Sequence, residues 1–86
     1  MNTAAASHSV IPQFACYTVL DGLQIGNGLQ LSIACGGMLM GYAWVGPTDT
    51  GYEIRRVQKL TAQPLDISAV VLARLSVRRF RKLLAA

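Results

Sequence analysis

The stretch Leu23-Gln24-Ile25-Gly26-Asn27-Gly28-Leu29-Gln30-Leu31-Ser32-Ile33-Ala34-Cys35 decides the fold. From Leu29 the apolar residues fall at every second position, so a pleated strand carries Leu29, Leu31, Ile33 and Cys35 on one face. Gly26-Asn27-Gly28 breaks the alternation with turn-forming residues, and the whole reads as a β-hairpin. Two registers compete. A three-residue turn sets Ile25 opposite Leu29 and Leu23 opposite Leu31, keeping apolar partners together. A two-residue Asn27-Gly28 turn sets Ile25 against Gln30, so the longer turn is the expectation.

On the N-terminal side Phe14 to Leu20 alternates as well. Asp21-Gly22 then reads as a bulge that re-phases one long strand running from Phe14 to Ile25. On the C-terminal side Gly36-Gly37 turns the chain into a strand from Met38 to Val45. Met38, Met40, Tyr42 and Trp44 are large on one of its faces, and Gly41 and Ala43 are small on the other. The turn formers of Gly46-Pro47-Thr48-Asp49-Thr50-Gly51 lead to Tyr52-Glu53-Ile54-Arg55-Arg56-Val57, whose more polar second face is that of an edge strand.

Pro64 is tolerated only in the first turn of a helix, and Asp66 is a good cap, so a helix is expected to start between Pro64 and Ile67. With no Gly or Pro beyond that point, one helix is expected over about residues 65–85. At 100° per residue Ala69, Ala73, Val77, Phe80 and Leu84 fall on one side, and Arg74, Arg78, Arg81 and Lys82 on the other. The expected fold is therefore α+β: a small antiparallel β-meander of about four strands over residues 10–58, packed with one basic amphipathic C-terminal helix. Residues 1–9 lack either apolar period and are expected to be a flexible lead-in, leaving 10–86 as a single domain.

A chain of 86 residues hides only ~60–65% of its unfolded surface, so a deep pocket built by one copy is not expected and a homodimer or a partner complex is. The composition is 52% hydrophobic and 14% charged, which excludes intrinsic disorder for most of the chain. No charge occurs from Gly22 to Thr48, a segment long enough to span a bilayer. Its seven glycines and its hairpin signal favour strands over a spanning helix. A membrane-surface mode, with Val77, Phe80, Leu83 and Leu84 dipping into an anionic leaflet beneath flanking arginines, is a lesser alternative.

Catalytic chemistry is poorly supplied. His8 is the only histidine, and Asp21, Asp49, Glu53 and Asp66 are dispersed, so no acid–base pair, nucleophile–base pair or metal cluster is expected. No cofactor is implied. Cys16 and Cys35 lack CxxC spacing and companion histidines, which excludes zinc-finger and thioredoxin-like motifs. In the register above they are diagonal neighbours too far apart to bond, so two reduced thiols are expected. Met1 to Ser9 has neither a basic start nor an apolar continuation, so no secretory signal is expected and the chain is assigned to the cytoplasm.

The net charge is +4, and five of the eight basic residues lie between Arg74 and Lys82. Arg74, Arg78, Arg81 and Lys82, flanked by Arg79 and extended by Arg55, Arg56 and Lys59, form a candidate ridge for a protein partner or for phosphates. No helix-turn-helix pair is visible, so any nucleic-acid contact would be to the backbone. Met38, Met40, Tyr42 and Trp44 form the candidate interface stripe. The functional expectation is a non-enzymatic regulatory, inhibitor-like protein. It would occlude or bridge a larger protein through an exposed sheet face or edge and the basic helix. The alternatives are sequence-nonspecific nucleic-acid binding and membrane association.

Overall fold

The computed structural model describes residues 15–85; the expected lead-in over 1–9, His8 and the strand start at Phe14 lie outside the described residues. Four strands, β1 (Tyr17–Ile25), β2 (Gly28–Cys35), β3 (Met38–Pro47) and β4 (Tyr52–Lys59), are followed by two helices, α1 (Ile67–Arg74) and α2 (Val77–Ala85). Neighbouring strands pair antiparallel in the order β1-β2-β3-β4, an open meander as the alternation predicts.

The bulge lies where Asp21-Gly22 places it. Leu20 pairs with Ser32 and Leu23 with Gln30, so β1 carries one extra residue across from Leu31. Any Cβ on Gly22 would collide with the carbonyl oxygen of Gln30, which explains why glycine stands there. The first turn differs from expectation. Ile25 pairs with Gly28, leaving only Gly26 and Asn27 in the turn, with Gly26 at φ 58°. A two-residue turn entered through a positive φ matches the natural twist of the strands, and that local geometry outweighs the matching of apolar partners.

The shorter turn moves β1 by one position against β2. Tyr17, rather than Thr18, faces Cys35. Cys16 is thereby drawn to a Cα–Cα separation of 5.0 Å from Cys35, and the two are joined by a disulfide. The expectation of two reduced thiols is overturned, for the reason that it rested on the longer turn.

One sheet face is covered by the helices. Val19 of β1, Leu29, Leu31 and Ile33 of β2, and Ala43 and Val45 of β3 are buried beneath Ile67, Val70, Val71, Leu75 and Phe80. α1 packs on β1, β3 and β4, and α2 on β1. Gly41 lets α1 approach, since a Cβ there would press on Ile67 and on the Gln58 carbonyl.

The single expected helix is two. α1 starts at Ile67, with Asp66 as its cap: the Asp66 carboxylate accepts from the Ala69 N–H at 3.1 Å. It ends at Leu75, which is extended (φ −108°, ψ 103°). Ser76 then starts α2, its hydroxyl accepting from the Arg79 N–H at 3.1 Å and its carbonyl from the Phe80 N–H at 2.9 Å. The Tyr52 hydroxyl donates to the Leu75 carbonyl at 2.7 Å, satisfying an acceptor the break leaves without a helical partner. Burial pushes the Tyr52 phenol above the ordinary tyrosine range. The break allows both Leu75 (2% exposed) and Phe80 (1% exposed) to enter the core.

Among the described residues no helix is long and apolar enough to cross a membrane. The uncharged Gly22–Thr48 segment supplies strands and turns instead. The apolar side of α2 is also engaged, with Phe80 in the core and Leu83 and Leu84 packed against it.

Candidate functional site

The sheet face away from the helices is built from two rows that the register fixes. One runs Leu20, Ser32, Tyr42, Gln58 and the next runs Leu23, Gln30, Trp44, Arg56, each from β1 to β4. Residues directly opposite in neighbouring strands point to the same side, so each row is a line of neighbouring side chains. Leu39, paired with Ala34, continues the surface at one end, and Ile25, paired with Gly28, at the other. Leu20, Leu23, Ile25 and Leu39 are 47%, 65%, 46% and 41% exposed.

Trp44 and Tyr42 stand at the centre, half-buried, with ring centroids 6.0 Å apart. The indole N–H donates to the Gln30 side chain at 3.2 Å. The Arg56 guanidinium lies 4.6 Å from the Trp44 ring centroid, within cation–π range. An irregularity in β4 helps: Trp44 pairs with Arg56 but Val45 with Ile54, so Arg55 is an extra residue. Its guanidinium lies where a side chain at Gly46 would be, donates to the Asn27 side chain at 2.9 Å and sits 3.6 Å from Glu53. The face thus grades from leucine and isoleucine on β1, through aromatics and glutamine, to arginine on β4.

The sequence-predicted residues divide differently from expectation. Tyr42 and Trp44 are on the open face as one stripe, but Met40 is not. β3 changes register between Ile33 and Ala34, and Met40 is buried in the core at 4% exposure. Met38 is 65% exposed next to the β2–β3 turn. The eight-residue basic ridge is likewise divided. Arg55 and Arg56 lie on the open face, on the opposite side of the sheet from the helices, and Lys59 is exposed at the end of β4. Arg74 belongs to α1 and is cut from the α2 stripe by the break at Leu75-Ser76. Arg79 turns to β1, donating to the Val19 carbonyl at 2.8 Å and to Asp21 at 3.1 Å. Arg78, Arg81 and Lys82 remain exposed on α2.

Leu20, Leu23, Ile25 and Leu39 were not anticipated at this site. The signal that could have found them is the Gly26-Asn27 turn, because a slip of one residue exchanges the two faces of a strand. Among the described residues no cluster of three or more histidine, cysteine or acidic side chains could hold a metal ion. Comparison of the chain with protein families, curated proteins and solved structures gave no match.

Proposed function

We propose that this chain is a non-enzymatic interaction protein that binds a larger protein on its open sheet face. The observation that carries the reading is that exposed Leu20, Leu23 and Ile25 of β1 and Leu39 of β3 share one sheet face with Tyr42, Trp44 and Arg56. Single exposed apolar residues are ordinary, but a connected apolar patch with a polar rim is characteristic of an interface. Tyr, Trp and Arg are the side chains that most often anchor such contacts. The apolar β1 side calls for apolar partner groups and the arginines of β4 for carboxylates. Disulfides persist in oxidising compartments, so Cys16–Cys35 supports a setting outside the reducing cytoplasm.

The test is site-specific photo-crosslinking in the source cells, with the photoreactive residue at Leu23 or, as a control, at Arg81. The reading expects a discrete protein adduct from position 23 that is lost when Trp44→Ala is added. No adduct at 23, or the same adducts at both positions, would refute it.

A second reading, backbone-directed nucleic-acid binding, is favoured by Arg78, Arg81 and Lys82 all facing solvent on α2. It requires binding to unrelated nucleic-acid sequences that weakens steeply with salt and falls with Arg78→Ala plus Arg81→Ala.

A further inference from the structure

The edge of β1 is distinct from the open face. Among the described strands β1 pairs only with β2, so along its length alternate backbone groups point away from the sheet. The Val19 carbonyl is one of them, since it accepts from Arg79 at 2.8 Å, and Tyr17, two residues earlier, presents its backbone the same way. Beside these groups lies a cleft of about 310 Å³ lined by Ala15, Tyr17, Thr18, Val19, Arg74 and Arg79. Both charged residues in its lining are arginines.

The two sheet edges are guarded differently. β4 carries Glu53, Arg55, Arg56 and Lys59, a charge pattern that discourages strand pairing. β1 carries one charged residue, Asp21. Its guard is Arg79, whose guanidinium supplies to Val19 the hydrogen bond that an incoming strand would supply. The contact to Asp21 that steadies Arg79 is itself exposed, at 38% for the arginine and 76% for the aspartate side chain. Exposed pairs of this kind are weak and readily exchanged.

We propose that the β1 edge is a docking site for an extended acidic segment of another protein. The segment adds as a fifth strand along Tyr17–Val19, its N–H replacing Arg79 at the Val19 carbonyl. Its carboxylate receives Arg79, released from Asp21, in the cleft that Arg74 also lines. Main-chain bonds fix the register and Arg79 selects for acid. Arg79 acts as a latch, holding the edge closed until a carboxylate offers it a better partner.

The experiment is amide NMR of the labelled full chain, titrated with a blocked heptapeptide alternating valine and glutamate and with its valine–lysine counterpart. The glutamate peptide is expected to shift the Tyr17 and Val19 amides saturably and to slow their hydrogen exchange, with the lysine peptide at least ten-fold weaker. Arg79→Gln should weaken the glutamate peptide at least ten-fold, while Arg81→Gln leaves it unchanged. If Arg79→Gln fails to fold, the comparison of the two peptides on the native chain decides alone. Equal response to both peptides, or shifts centred on the Trp44 indole, overturns the proposal. Tyr17 and Val19 amides already protected in a peptide-free dimer would mean that a second copy holds the edge, which also overturns it.

Discussion

Removing the Cys16–Cys35 bond tests the register of β1 and the stability of the whole fold together. The bond closes a loop with a sequence separation of 19. Loop-closure entropy for that length corresponds to about 3 kcal/mol at 25 °C. Unfolding entropy of ~2.1 cal/mol/K per residue makes each kcal/mol worth roughly 5–6 °C for a chain this size, so the melting temperature should fall by about 15 °C on reduction. A domain of this size holds on the order of 5–10 kcal/mol, so the reduced protein should still fold at room temperature. The assay is thermal unfolding followed by circular dichroism with and without a phosphine reductant, and with Cys16→Ser plus Cys35→Ser. The double variant should melt with the reduced protein and ignore the reductant. The reasoning is refuted if reduction moves the midpoint by less than about 3 °C. It is equally refuted if mass spectrometry finds two free thiols in the oxidised preparation, since the bond forms only when Tyr17 faces Cys35.

Other perturbations give separate readings. Leu31→Glu puts a charge at a fully buried position and should unfold the chain, whereas Leu23→Glu, 65% exposed, should change stability by no more than ~0.5 kcal/mol in denaturant titration. Ser76→Ala removes the α2 cap and should cost ~1 kcal/mol by urea unfolding, with α2 amides exchanging faster. Because the folded-state pKa of Tyr52 is raised, its neutral form contributes stability that is complete below the unfolded value. That stability is lost as pH rises through the folded one. Stability of the native chain should therefore decline above pH ~10 more steeply than that of Tyr52→Phe, measured by denaturant midpoints across that range.

Much of the fold is legible in the alternation of the chain. Leu29, Leu31, Ile33 and Cys35 announce β2, Asp21-Gly22 announces the bulge, and Asp66 announces the first helix. Each is a local signal, decided by a few neighbouring residues. The position of the first turn is different, because apolar matching and turn twist favour registers one residue apart. Choosing the first puts Leu23 and Ile25 with the core residues Leu31 and Leu29, and it also separates the cysteines. The helix break at Leu75-Ser76 is hidden for another reason. Ser76 is a cap only if the chain stops there, and what makes stopping favourable is distant: the Tyr52 hydroxyl on the Leu75 carbonyl and the burial of Leu75 with Phe80. That Tyr42 and Trp44 share a face is legible in the alternation of β3, but the exposed Leu20, Leu23, Ile25 and Leu39 on that same face are not.

The central claim is that the sheet face bearing Leu20, Leu23, Ile25 and Leu39 is uncovered in the isolated chain. Methyl-labelled protein examined with a soluble paramagnetic relaxation agent tests it most directly. The account predicts strong relaxation of the methyls of those four residues and weak relaxation of Leu29, Leu31, Ile33 and Val45. Equal protection of the two sets would contradict it.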